Sequence, residues 1–390
     1  MSAQQPSDLA LATQLVHMGT APSDQYGFVN TPIYRGSTVV YPDYQHLKQR
    51  DMPFGYGTDG TPTIKALEDA WTTLSGAAGT VISPSGLGSI SLALLSVLKA
   101  GDHLLMTDSV YRPTRILCEG MLKRFGVETT YYDPTLGADI EALIQPNTRV
   151  IFTESPGSQS LEIQDIPAIV AVAKAHNIIT MMDNTWATPI FFKAHAHGID
   201  LVIEAGTKYL SGHSDLLMGL VSANAVTWPA LRETYDAMAM CPGPEDCFLA
   251  LRGLRTMHLR LKEAEKQGLA MAKWLQARPE VAQVLHPALP ESPGHELWKR
   301  DFLGSSGLFS IILKPGQTEQ DLAAFLDGLQ LFRMGFSWGG YESLIIPFDC
   351  KPYRTATAWQ PGGIALRLQI GLEAIEDLQA DLAAAFARLS

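Results

Sequence analysis

The spacing of apolar positions changes twice along this chain. Up to about residue 60 no regular period is visible, and Pro, Gly, Tyr and Thr are frequent, as in "FVNTPIYRGSTVVYPD" and "MPFGYGTDGTP". An extended arm is expected there, and an irregular arm of that length commonly packs on a neighbouring subunit. At "TPTIKALEDAWTTLSG" a helical period begins: Ile64, Leu67, Trp71 and Leu74 share one face, with Thr63 as the expected cap and Gly76 as the stop. From there to about residue 225 short apolar runs alternate with helical stretches. "AGTVISPS", "DHLLMTD", "RVIFTESP", "NIITMMDN" and "DLVIEAGT" read as strands, and "SISLALLSVLKAG" and "DIPAIVAVAKAH" as helices. This alternation predicts an α/β fold whose mostly parallel sheet has helices on both faces, with function gathered at the carboxyl ends of the strands.

Beyond about residue 250 the pattern loosens. The helical run "RTMHLRLKEAEKQGLAMAKWLQA", the strand-like "GLFSIILK" and a closing helix predict a second, smaller α/β domain. Leu372, Ile375, Leu378, Leu382 and Phe386 are expected on one face of that last helix. The division expected is an arm over 1–60, a large domain over 61–248 and a C-terminal domain over 249–390.

Composition narrows the function. With 390 residues, 46% apolar and 18% charged, the chain can bury a sizeable core, and two domains are the natural expectation. A formal net charge of −11 argues against a nucleic-acid or anionic-membrane binder. Cys118, Cys241, Cys247 and Cys350 are dispersed, with no C-x-x-C pair, so ordinary thiols are expected rather than a zinc ribbon. "HAHG" offers His195 and His197 without a third ligand, so no metal is expected. The opening "MSAQQPSDLA" has no signal-like pattern, and no apolar run reaches the roughly 18–20 residues of a membrane helix, so a cytoplasmic protein is expected.

Three strand ends carry chemistry. In "ISPSGLGS" a strand enters a small-residue turn and then a helix, which suits either a tight turn or an anion held on backbone N–H groups. It is not a dinucleotide fingerprint, since position 91 is Ser, and no phosphate-loop GKS/GKT motif or G-x-S-x-G elbow occurs. In "NIITMMDNTWATP" Asp183 ends an apolar run, as a turn former or as the partner of a cation. In "EAGTKYLSGHSD" Lys208 stands at the end of another, as a solvated loop residue or a buried amine. Together, a phosphate-type turn, an acid and a lysine meet the needs of pyridoxal phosphate (PLP). The lysine condenses with the aldehyde, the acid keeps the pyridine nitrogen protonated, and the turn holds the phosphate.

Beyond this triad, "YGTDGTPT", "ESPGS", "MDNTWATP", "TKYLSGHSD", "LRGLRT", "HPALPESPGHELWKRDFLGSSGLFS", "SWGGYESL" and "LRLQIGLE" run from near Leu11 to the last helix. In these the chain resembles the Cys/Met-metabolism family of PLP enzymes, and "ESPGS" and the Trp of "SWGG" resemble its β-lyase branch. The resemblance implies an aspartate-aminotransferase-like (fold type I) PLP enzyme and a homotetramer built from dimers. It implies β-elimination on an amino-acid thioether, L-cystathionine giving homocysteine, pyruvate and ammonia. Amino-acid racemisation, for instance of alanine, and γ-elimination or thiol replacement are the alternatives.

By matching motif, Lys208 would carry the cofactor and move protons, and Asp183 would meet the pyridinium nitrogen. Tyr111 would stack on the ring, while Gly86, Leu87 and Thr207 would contact the phosphate. Arg367 would fork onto the substrate α-carboxylate, Ser337 and Trp338 would line the substrate pocket, and Tyr56 would reach in from a neighbouring subunit to meet the substrate, the α-proton being removed by Lys208 or by Tyr56 acting with it. Two positions depart from the family. Thr58 stands where an arginine usually contacts the phosphate across the interface, next to the negative Asp59. One charge-assisted bond of roughly 1.5–3 kcal/mol is thereby lost unless Arg35 compensates. A pocket tyrosine of the β-lyase branch falls on or beside Tyr235 and Asp236.

Overall fold

The computed structural model describes residues 9–389. The arm holds two short α-helices, α1 (Leu11–His17) and α2 (Tyr44–Gln49), and two 3-10 turns, Pro22–Gln25 and Gly57–Asp59. It leaves Tyr26, Phe28, Val29, Val40 and Tyr44 exposed. Helix α3 (Pro62–Ser75) starts the globular part. Its cap is Thr61, whose hydroxyl accepts from the Ile64 N–H, and not Thr63 as expected. Pro62 is at the first helical position, where its missing N–H costs nothing, so the cap falls one residue before it. Thr63 is buried and its hydroxyl donates to the Pro32 carbonyl, tying the arm to the helix. Gly76, at φ +72°, ends α3 in the left-handed region that favours glycine. Ile64, Leu67, Trp71 and Leu74 are buried as their spacing required, each worth about 1.5–3 kcal/mol.

The large sheet has seven strands: β1 (Gly79–Ser83), β2 (His103–Thr107), β3 (Glu128–Tyr132), β4 (Thr148–Glu154), β5 (Ile179–Asp183), β6 (Leu201–Glu204) and β7 (Gly219–Ala223). Their order is β1-β7-β6-β5-β4-β2-β3. Only β7 runs against its neighbours, so the mostly parallel sheet expected is present. The helices around it are α4 (Gly86–Val97), α5 (Arg112–Leu117), α6 (Ile166–Ala175), α7 (Thr188–Phe191) and α8 (Trp228–Met238). Three apolar clusters pack on the sheet: one contains Trp71, Met182 and Leu254, another Ile90, Phe152 and Val221, and a smaller one Leu105, Ile151 and Ile169.

Helix α9 (Pro244–Gln276) starts eleven residues before the expected helical run and carries the chain across the expected 248/249 division. It leads to a sheet of five strands, β8 (Val281–Leu285), β9 (Leu308–Leu313), β10 (Arg333–Met334), β11 (Leu344–Phe348) and β12 (Ala365–Gln369), in the order β10-β11-β12-β9-β8. Helices α10 (His295–Asp301), α11 (Glu319–Asp327) and α12 (Ile375–Phe386) complete this part. In α12 Leu378, Leu382 and Phe386 are buried, but Leu372 precedes the helix and is exposed, which corrects the expected face. Among the described residues no helix is long and apolar enough to cross a membrane.

Candidate active site

Strands β4, β5 and β6 are parallel neighbours, so their carboxyl ends meet at one edge of the sheet. Glu154 pairs in register with Asp183, and Asp183 with Ile203, one residue before Glu204. A cavity of about 450 Å³ opens at this edge and reaches the smaller sheet. Gly86, Leu87, Tyr111, Asp183, Thr207, Lys208, Ser337, Trp338 and Arg367 all line it. Two roomier cavities lie elsewhere, one against the Pro347–Ala365 segment and one between the arm and helices α3 and α8. Neither gathers these residues.

Lys208 follows β6 in a tight turn and is not a solvated loop residue. Its Nζ donates to Ser337 Oγ at 2.6 Å and lies 5.3 Å from the centre of the Trp338 ring. Burial, helped by the nearby Arg367 charge, lowers its pKa from 10.5 to about 8, against the opposing pull of Asp183. The amine is thus readily available in the neutral, nucleophilic form. Ser337 is held at φ +80°, and its carbonyl accepts from Arg367 Nη2 at 2.9 Å. A side chain on the adjoining Gly339, at φ +81°, would meet the Tyr209 N at 3.0 Å and the Lys208 carbonyl carbon at 3.1 Å. Glycine there lets the two segments close on each other.

Arg367 lies in β12, which pairs with β9 and β11, and is 9% exposed. The Ser337 carbonyl is its one hydrogen-bond partner among the described residues, and it forms no ion pair there. Burial lowers its pKa to about 10. A buried guanidinium without a carboxylate is costly, so the site is built to receive an anion.

Asp183 Oδ1 accepts from the Thr185 N–H at 3.0 Å and from its hydroxyl at 2.5 Å. Its other oxygen has no hydrogen bond among the described residues. Burial raises its pKa, and a cation against the free oxygen would offset that. Glu154 and Glu204 flank it, and burial together with the Asp183 charge pushes both carboxyls well above the usual range. The sequence reading did not single out either acid. Glu154 Oε2 accepts from the Tyr111 N–H at 2.7 Å and so fixes the backbone of the tyrosine expected on the cofactor ring. Glu204 Oε1 and Asn184 Oδ1 have no partner among the described residues.

At the other end of the cavity, Ser85 caps α4 by accepting from the Gly88 N–H at 3.0 Å. The N–H groups of Gly86 and Leu87 have no acceptor within the helix and are free for an anion, as at any helix start. A side chain on Gly86 would meet Ala205 Cβ at 2.9 Å, so this close turn requires glycine. The Thr207 hydroxyl donates to the Met218 carbonyl at 3.1 Å and accepts from its N–H at 3.0 Å. Its proton is therefore already committed, and donating to a phosphate would require it to turn.

The residues present fit PLP. Free helix N–H groups suit its phosphate, a free carboxylate oxygen suits its ring nitrogen, and a low-pKa amine suits its aldehyde. Capture of PLP by the apo-protein is expected to speed up with rising pH and level off above about 8, where Nζ is neutral. Rapid-mixing absorbance measurements check this, and a rate still climbing at pH 10 would show an unshifted lysine.

Tyr56 and Thr58 are not in this cavity. Tyr56 is 52% exposed in the arm and lines the cavity beside α3 and α8. The Asp59 carboxylate accepts from the N–H groups of Gly55 (2.7 Å) and Tyr56 (2.9 Å), so its charge shapes this turn. Arg35, the expected compensating base, instead pairs with Glu245 at 2.9 Å. Tyr235 is buried and Asp236 pairs with Arg232; neither lines the Lys208 cavity.

Comparison with known proteins agrees with this chemistry. Residues 12–387 match the family described as Cys/Met metabolism PLP-dependent enzyme. The chain is 63% identical over 334 residues to a putative cystathionine beta-lyase of Saccharomyces cerevisiae, covering 86% of this chain and 98% of that one. It is 44% identical over 393 residues to a cystathionine beta-lyase of Salmonella typhimurium, covering 98% and 100%. The crystal structure of a Lactobacillus plantarum cystathionine gamma-lyase, complexed with L-serine, superposes with a TM-score of 0.90 at 30% identity, covering 98% and 99%. The fold is therefore that of the PLP-dependent trans-sulfuration enzymes, as expected. The chain belongs to the Cys/Met-metabolism PLP-dependent enzymes, and pyridoxal phosphate is its cofactor.

Proposed function

We propose that this chain is a carbon–sulfur β-lyase that cleaves L-cystathionine, with water, to homocysteine, pyruvate and ammonia. The observation that carries this reading is the placement of Lys208 Nζ, against Ser337 and Trp338, in one cavity with Asp183 and an Arg367 that lacks a carboxylate. The similarity to curated cystathionine beta-lyases supports the same choice of reaction.

In this reading Gly86 and Leu87 hold the cofactor phosphate, with Thr207 beside them, Asp183 holds the ring nitrogen and Tyr111 covers the ring. When bound, PLP draws electrons from the substrate Cα and makes its proton acidic. Arg367 grips the α-carboxylate in a planar fork and so sets which Cα bond faces Lys208. Lys208 Nζ takes the α-proton, with the Ser337 hydroxyl keeping the amine aimed. The Cβ–S bond then breaks, the thiolate leaves as homocysteine, and aminoacrylate hydrolyses in water to pyruvate and ammonia. Trp338 and its Tyr209 neighbour, with rings 5.5 Å apart, form an apolar wall beside the amine.

We also propose that the arm crosses to a second copy, bringing Tyr56 and Thr58 to that copy's site within a tetramer of two dimers. The exposed apolar side chains of the arm support this. A cytoplasmic location fits an enzyme acting on a free amino acid.

Purified holoenzyme given L-cystathionine is expected to release a free thiol and pyruvate in equal amounts. L-alanine, followed by chiral chromatography, tests racemisation in parallel. D-alanine formation without thiol release would replace the lyase reading with that of a racemase.

A further inference from the structure

The cavity is lined by five acidic or basic side chains: Arg112, Glu154, Asp183, Lys208 and Arg367. The proposed reaction uses three of them, and Glu154 is taken up by the Tyr111 N–H. Arg112 remains. It stands at the start of α5, at the rim, and makes no hydrogen bond or ion pair among the described residues. Its one recorded contact is with the Tyr353 ring, whose centre lies 5.4 Å from its Cζ.

That ring is firmly placed. The Tyr353 hydroxyl lies 3.1 Å from Gln159 Oε1, and the Gln159 carbonyl accepts from Ser310 Oγ at 2.6 Å. Arg354 donates to Glu162 Oε1 at 2.6 Å. Just beyond, the Asp108 carboxylate accepts from the N–H groups of Thr355, Ala356 and Thr357 at 3.0, 3.1 and 2.9 Å. The segment carrying Tyr353 is thus fastened to the large domain by two buried groups. Gln159 Nε2 and Ser158 Oγ, on the same lining, have no partner among the described residues. Arg112, Ser158 and Gln159 thus line one cavity, and Tyr353 contacts both Arg112 and Gln159.

We propose that Arg112, with Gln159 and Ser158, forms a subsite for a second carboxylate, at the far end of the substrate. The site then selects dicarboxylic thioether amino acids over neutral S-alkyl cysteines. This rests on the β-lyase reading, since it takes Arg367 for the first carboxylate. A guanidinium backed by an aromatic ring suits such a group, because its planar fork meets both oxygens while the stack limits its rotamers.

The test compares wild-type holoenzyme with Arg112→Met and Arg112→Lys on L-cystathionine and S-ethyl-L-cysteine, which lacks the second carboxylate. Affinity is read from the cofactor's visible spectrum, and turnover from pyruvate. In Arg112→Met the preference for L-cystathionine should shrink roughly tenfold, chiefly through KM, as for a charged contact at a wet rim. Arg112→Lys should keep part of it. An equal change for both substrates, or none, overturns the subsite. If wild type releases pyruvate from neither, the β-lyase reading falls. The binding ratio still decides the subsite: equal wild-type affinity for the two ligands overturns it.

Discussion

Replacing Lys208 by Ala is expected to lower the rate of L-cystathionine cleavage by about 10³-fold, the range of a lost proton-transfer group. The visible absorbance of the bound cofactor should disappear with it. Both effects follow from one atom. Nζ is the amine of lowered pKa in the cavity, and Ser337 Oγ holds it at 2.6 Å. The loss should not reflect misfolding, because removing a buried ammonium also removes its desolvation cost. A thermal melt of the variant apo-protein within a few degrees of wild type checks this. A variant that kept the cofactor band and most of its turnover would show that the lysine has neither role.

The second large effect is expected at Arg367. Arg367→Lys keeps the charge and loses the fork, and Arg367→Ala loses both. A charge-assisted pair of roughly 1.5–3 kcal/mol corresponds to about a 10- to 100-fold rise in KM for either variant, with Ala at the upper end. Arg367→Ala should also move the pH profile. The Arg367 charge helps to hold the Lys208 pKa down to about 8, so its removal lets that pKa rise. Less neutral amine is then present at a given pH, and the acid limb of the apo-protein's PLP-capture profile should shift to higher pH. Steady-state kinetics and pH-dependent capture rates measure the two effects separately. An unchanged KM in Arg367→Ala would remove the residue from substrate binding.

Much of this site was legible in the sequence because its parts sit at strand ends, where an apolar run stops at a residue of the wrong polarity. Asp183 and Lys208 stood out in that way, and the glycines after Ser85 marked a turn into a helix. Arg367 did not. It lies inside an apolar strand of the second sheet, and only the family resemblance pointed to it. Glu154 and Glu204 went unread although each ends its strand as Asp183 does. An acid in that position is more often a solvated turn residue, and its burial depends on how β4, β5 and β6 align. Thr61 and Thr63 differ by two positions, and the choice between them turned on Pro62. Tyr56 and Thr58 sit outside the Lys208 cavity, and only the family resemblance pointed to them.

The most direct measurement is the identity of the 2-oxo acid formed from L-cystathionine by purified, PLP-saturated protein, read by mass spectrometry. Cleavage between Cβ and sulfur gives pyruvate and homocysteine; cleavage on the γ side gives 2-oxobutyrate and cysteine. This account predicts pyruvate, in step with homocysteine. 2-Oxobutyrate as the main product would contradict it.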